Sequence, residues 1–166
     1  MTWSIIFHER STGRIGIAVA TKFFAVGARV PNIEPRKGAV CTQALTNPLY
    51  GPRGLRLIRE GIGAADVVRF LIAPDAGREH RQLHVMGADG HFAAHTGAEC
   101  VPWCGHWTGE DMSVAGNMLA GPAVVSETVR VLRERTDLAL PRRLIAAMRA
   151  GEAAGGDKRG KQSAAL

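Results

Sequence analysis

Cysteine and aromatic residues are scarce in this 166-residue chain, which has three cysteines, three tryptophans, one tyrosine and five phenylalanines. Cys41, Cys100 and Cys104 are an odd number and too few for a disulfide framework, so the expected compartment is the reducing cytoplasm. No window approaches the roughly 18 consecutive apolar residues of a membrane-spanning helix, and the N-terminus lacks the basic-then-apolar signature of a secretory leader. Also missing are a recognition-helix motif, zinc-finger spacing and an aromatic-basic RNA signature. The formal charge of +6 therefore reads as solvated helix faces and a field suited to an acidic small molecule, with no nucleic-acid partner expected.

What the chain does have is 46% hydrophobic residues and 20 glycines, enough for the core of one domain over 1–166, built on Val, Ile, Leu and Ala. Thr2–His8 is rich in β-branched and aromatic residues, and Ser11-Thr12-Gly13 supplies turn chemistry. Arg14–Thr21 then runs almost wholly apolar, as a strand covered on both faces does. The two predict a buried central hairpin. A bend through Gly27 leads to a short extended piece at Pro31, and Gly38–Ala44 reads as a further strand. The turn cluster Thr46–Pro52 precedes a helix carrying Leu55, Leu57 and Ile58 and stopped at Gly61; a second helix fits Ala64–Ile72. Leu83–Met86 and His91–His95 form a hairpin around Asp89-Gly90. Met112–Asn117 is a strand. A helix opened by Gly121-Pro122 follows, then another from Asp137 to about Ala150 with Leu140, Leu144, Ile145 and Met148 inward, and a last strand begins at Gln162. Strands and helices alternate in blocks, which predicts covering helical layers over sheets.

Thr2 follows the initiator methionine and is small enough for Met1 to be removed. A mature Thr2 carries a hydroxyl nucleophile and an α-amine with an unperturbed pKa of about 8, so one residue supplies both nucleophile and base. Lys22 follows the second strand, where an ammonium can lower a neighbouring pKa or simply be solvated. The Gly-Asn pair at Gly116-Asn117 is either an oxyanion donor or a turn.

With a two-residue loop at Asp89-Gly90, His84 lies opposite His95, with His91 on the same face. Three histidines there raise a metal site, against the commoner reading of packed or solvated strand histidines; no metal is expected. Cys100, Cys104 and His106 match no common zinc spacing, and Cys41 reads as a small core residue. The glycine-rich basic segment Gly155–Lys161 offers backbone N–H groups beside Lys158, Arg159 and Lys161 for a carboxylate or phosphate, with Asp157 to orient an amine or water, or else is a solvated loop.

Taken together, several motifs in order resemble a bacterial family, the domain of unknown function 1028 family, placed in the N-terminal nucleophile hydrolase superfamily. They are Met-Thr-Trp-Ser-Ile at the start, Gly-Ile-Ala-Val-Ala at 16–20, Ala-Val-Gly-Ala-Arg-Val-Pro at 25–31, and Thr-Gln-Ala-Leu-Thr-Asn-Pro-Leu-Tyr-Gly-Pro-Arg-Gly-Leu at 42–55. Further along come Gly-Arg-Glu-His-Arg-Gln-Leu at 77–83, Ala-Ala-His-Thr-Gly at 93–97, Gly-Asn-Met-Leu-Ala-Gly-Pro at 116–122, and Gly-Gly-Asp-Lys-Arg-Gly-Lys-Gln-Ser-Ala-Ala-Leu at 155–166.

The resemblance implies an α+β fold, a four-layer αββα sandwich with two mainly antiparallel sheets, and amide hydrolysis through an acyl-enzyme on Thr2. The expected function is cleavage of a C–N bond in a small anionic non-peptide amide. Thr21, Lys22 and Asn117 would assist Thr2, and His95, Asp157, Arg159 and Gln162 would contact substrate, with no cofactor. The alternative is a catalytically silent domain binding a metabolite through the 155–161 loop. The family is expected to continue past the strand on which this sequence stops, and a shortened edge strand makes a homodimer plausible.

Overall fold

The structure is a computed structural model and describes residues 2–166; the expected removal of Met1 concerns a residue outside that range. The chain opens with the hairpin β1 (Thr2–Glu9) and β2 (Arg14–Thr21), paired antiparallel from Thr2↔Thr21 to Glu9↔Arg14. Gly13, at φ +71°, supplies the left-handed residue that the turn needs. A one-turn 3₁₀ helix over Val26–Ala28 leads into β3 (Pro31–Glu34) and β4 (Gly38–Ala44), then α1 (Tyr50–Arg59) and α2 (Ala64–Ile72). Four strands follow, β5 (Arg81–Met86), β6 (Phe92–Thr96), β7 (Gly105–Thr108) and β8 (Met112–Asn117). The chain finishes with α3 (Ala123–Glu134), α4 (Leu140–Ala153) and β9 (Ser163–Ala165).

Two antiparallel sheets result, a five-stranded one in the order β7-β8-β1-β2-β9 and a four-stranded one in the order β3-β4-β5-β6. Helices α3 and α4 cover the first sheet, α1 and α2 cover the second, and β1, β2 and β8 face β3, β4, β5 and β6. The order of layers is αββα. Strand alternation divides the side chains accordingly. Trp3, Ile5 and Phe7 join Val124, Val129, Leu132 and Leu144 under the outer helices, while Ile6, Ile17, Val19, Ala39, Cys41 and Met86 fill the space between the sheets. Val40, Leu83 and Val85 pack under α1 and α2 with Tyr50, Ile58 and Val67.

The structure differs from the sequence reading in four places. The β5–β6 loop is five residues long, because Asp89 turns its carboxylate onto the N–H groups of His91 and Ala64 and the strands close at Met86↔Phe92. That one-residue shift in register pairs His84 with Ala94 and His95 with Leu83, so the two histidines lie on opposite faces of the sheet. Helix α1 begins earlier, taking Pro52 into its first turn, where a missing N–H costs nothing. In α4 the buried stripe is Leu140, Leu144, Ala147 and Gly151; Ile145, one residue round from Leu144, is exposed, and Asp137 precedes the helix. Strand β7, which the sequence reading did not anticipate, takes up Gly105 and His106 at the end of the Cys100–His106 run.

Gly16 sits directly beneath Leu144, whose Cδ1 would lie 2.7 Å from an added Cβ. Sheet and helix interlock there. Leu144→Ala is expected to lower unfolding free energy by about 2–5 kcal/mol in a denaturant titration, and a loss below about 1 kcal/mol would contradict this packing.

Candidate active site

Because β1 lies between β2 and β8, its first residue stands level with the last residue of each neighbour: Thr2 pairs with Thr21 on one side and Asn117 on the other. Thr2 Oγ1 donates to Thr21 Oγ1 at 3.1 Å, and Asn117 Nδ2 reaches the Thr2 carbonyl at 3.5 Å. Thr2 is 7% exposed and lines a cavity of about 450 Å³ together with Thr21, Phe23, Arg29, Asn32 and Thr46. A second cavity of about 260 Å³ is lined by Asn117, Met118, His80, Glu99 and Cys100; Ala44 and Leu45 line both. The Thr2 end of β1 is thus where two clefts meet.

Beneath it runs a polar seam between the sheets. Gln43 Nε2 faces three oxygens, Gln82 Oε1 at 2.8 Å, Ala115 O at 3.2 Å and Thr2 O at 3.4 Å. Its Oε1 is therefore the acceptor for the Ser4 hydroxyl at 2.7 Å. Ser4 Oγ, having donated, accepts from His84 Nε2 at 2.8 Å, and His84 Nδ1 accepts from Ser113 at 2.9 Å. The imidazole is neutral, with its proton on Nε2. Burial lowers its pKa to about 3, helped by His106. Gln82 Oε1 also accepts from Asn117 Nδ2 at 3.0 Å, and Gln82 Nε2 reaches Gly116 O and Thr96 Oγ1. Asn117 is consequently anchored to the seam, its amide spent on Gln82 and the Thr2 carbonyl.

The rim holds three non-glycine residues in the left-handed region, Ala25 (φ 54°), Ala44 (φ 67°) and Met118 (φ 53°). Each follows or ends a strand that reaches Thr2 or its cavities, and strain of this kind, of order 1–3 kcal/mol per residue, gathers at functional sites. A half-buried acid, Asp75, fixes the 44–50 segment. Asp75 accepts from Arg81 Nε at 3.0 Å, Asn47 Nδ2 at 3.0 Å and the Tyr50 hydroxyl at 2.8 Å, and Arg81 Nη1 donates to Leu45 O at 2.5 Å. Arg81 and Asn47 hold the Asp75 carboxyl well below the usual range, while burial, with the Asp75 bond, pushes the Tyr50 phenol up.

The remaining candidates separate into neighbours and outliers. Asp157 is buried and accepts from the Lys22 N–H at 2.8 Å and the Arg159 N–H at 2.9 Å; Gln162 N donates to Thr21 O at 2.8 Å. These residues brace the end of β2 beside Thr21; the side chains of Lys22 and Gln162 are exposed, and the Arg159 guanidinium pairs with the Asp157 carboxylate at 3.4 Å. His95 lies apart, on the helix-facing side of β6, bonded to Arg78 O at 2.9 Å. The 155–161 loop spends its donors internally. The N–H groups of residues 155, 156, 158, 159 and 160 all bond within the protein, Lys158 Nζ meets Pro102 O, and Lys161 Nζ meets Glu152. No anion cradle is left open there by those groups. Among the described residues no group of three or more His, Cys, Asp or Glu side chains is placed to hold a metal, and no helix is long and apolar enough to cross a membrane. Burial pushes the Cys41 thiol up and raises Cys100 to about 11, so neither is an activated nucleophile.

Residues that the sequence reading passed over are Gln43, Gln82, Arg29 and the Asp75–Arg81 pair. Two glutamines inside otherwise apolar strands were the available signal, since a buried amide demands partners.

Residues 2–166 match the model of a family described as a family of unknown function, DUF1028. A crystal structure of a DUF1028 protein from Silicibacter pomeroyi is 35% identical, with a TM-score of 0.91, over 98% of this chain and 70% of that one. No curated protein matches.

The neutral His84 makes stability depend on pH. Its folded pKa of about 3 lies below the unfolded value near 6.5, so the unfolded chain binds more protons between the two. The contribution is complete above about pH 6.5 and is lost as pH falls, by up to about 1.4 kcal/mol per unit. Denaturant titrations at about pH 7.5 and about pH 5 are expected to show a larger loss in the native protein than in His84→Gln. Equal losses would contradict a buried neutral histidine.

Proposed function

The chain belongs to the DUF1028 family, and from that premise we propose that it is an amidohydrolase with Thr2 as N-terminal nucleophile, acting on a small amide. One observation carries the reading: the Thr2 hydroxyl, held by Thr21 at 3.1 Å, opens on a cavity of about 450 Å³ at the start of a central strand.

In this mechanism excision of Met1 frees the Thr2 α-amine, which takes the Oγ1 proton as that oxygen attacks the amide carbonyl. The tetrahedral intermediate collapses, the C–N bond breaks, and the ammonium returns its proton to the departing amine. An ester on Thr2 remains. Water then adds to that ester with the same amine as base, releasing the acid and restoring the hydroxyl. Thr21 orients Oγ1, and Asn117 with Gln43 positions the Thr2 carbonyl and hence the plane from which the hydroxyl approaches. Lys22, Asp157, Arg159 and Gln162 support the wall beside Thr21.

The reading of a silent metabolite-binding domain gains nothing from the 155–161 loop, whose donors are engaged. Against a panel of short-chain acyl p-nitroanilides, Thr2→Ala is expected to reduce p-nitroaniline release at least about a thousandfold. Its thermal midpoint should change little, since one inter-threonine hydrogen bond contributes about 0.5–1.5 kcal/mol. Release that survives in Thr2→Ala, or that the native protein never shows, would refute the proposal.

A further inference from the structure

The cavity beside Thr2 has an uneven electrostatic lining. Among the described side chains that line it, that of Arg29 alone bears a charge, beside the polar Asn32 and Thr46 and the apolar Val30, Leu45 and Pro48. Arg29 is not one of the arginines that the fold neutralises. Arg10, Arg59, Arg81 and Arg135 all face a carboxylate, whereas the Arg29 guanidinium lies over the Phe23 ring, 4.8 Å from its centroid. A guanidinium held at a ring face still has its fork of N–H donors for a planar anion.

That placement is built into the backbone. Val26 N donates to Ser163 Oγ at 3.1 Å, Ser163 Oγ donates to Phe23 O at 2.6 Å, and Arg29 N closes the 3₁₀ turn on Val26 O at 3.0 Å. Ser163 of β9 therefore ties the Phe23 backbone to the turn that carries Arg29. The neighbouring cavity has the opposite sign, since Glu99 is its only formally charged lining residue among those described. An anion entering the two clefts is attracted to one and repelled by the other.

We infer that Arg29 is the specificity-determining residue of the cavity and binds a carboxylate at the far end of the substrate, so that the substrate class is the small ω-amido acid. The position of the amide at Thr2 rests on the hydrolase reading above; recognition of the carboxylate is measurable without turnover. The apolar wall of Val26, Val30, Leu45 and Pro48 accommodates the methylene chain between the two ends, and about 450 Å³ is at the small end of ligand sites.

The test uses Met1-free Thr2→Ala protein, which binds without turning over, titrated calorimetrically with glutaramate and with valeramide, an amide of equal chain length that ends in methyl. Glutaramate is expected to bind at least about tenfold more tightly, with the difference erased by Arg29→Gln, partly kept by Arg29→Lys, and unaffected by Arg36→Gln on the distant β3–β4 turn. Equal binding of the two amides, binding of neither, or a preference that survives Arg29→Gln would overturn the inference. If the Arg29-dependent preference holds while native Thr2 protein hydrolyses no amide, the hydrolase reading fails and the carboxylate site stands.

Discussion

The seam of hydrogen bonds between the two sheets is what the candidate site depends on. Ser4, Gln43, Gln82, His84, Ser113 and Asn117 are all buried, and a buried amide or imidazole without partners would cost several kcal/mol. Each finds its partners only if the two sheets stack in one register. The requirement fixes how β1 lies over β4 and β5, and with it the position of Thr2, whose carbonyl is one of the acceptors of Gln43. Apolar packing alone, as between Ile6, Val19 and Met86, would tolerate small slips.

The site inherits its rigidity from that seam and its shape from the loops above it. The left-handed backbone at Ala25, Ala44 and Met118 turns the chain sharply at the ends of the cavity walls, and the Asp75–Arg81 pair holds the Leu45 carbonyl between the clefts. On the other side Asp157 gathers the N–H groups of Lys22 and Arg159. The basic loop thus serves as scaffold, its charges answered within the fold. Among the described side chains lining the larger cleft, the charged one is that of Arg29, on a different loop.

Much of this was legible in the sequence. The 2–21 hairpin, the strand at Met112–Asn117 and the helix over Ala64–Ile72 carry strong local patterns, and the four layers follow from the resemblance of their order to a known family. Thr2, Thr21 and Asn117 do converge, which chain order makes understandable, since β1 pairs with both neighbours at its first residue. What local patterns could not reveal was set by tertiary demands. Asp89 is drawn to the N-terminus of α2, lengthening a loop that Asp-Gly alone would have closed in two residues, and that shift sent His84 inward and His95 outward. Gln43 and Gln82 looked like ordinary strand positions because their partners lie on the opposite sheet. Arg29 gave no signal because a lone arginine in a loop acquires meaning only from the cavity around it.

The central claim is that Thr2 is a free, reactive N-terminal nucleophile. Its most direct test is to treat the purified protein with a small β-lactone and locate the adduct by intact-mass and peptide-fragment measurement. A chain that lacks Met1 and carries a single acyl group on Thr2 is the expected result. Retention of Met1, or acylation of any other residue with Thr2 unmodified, would contradict it.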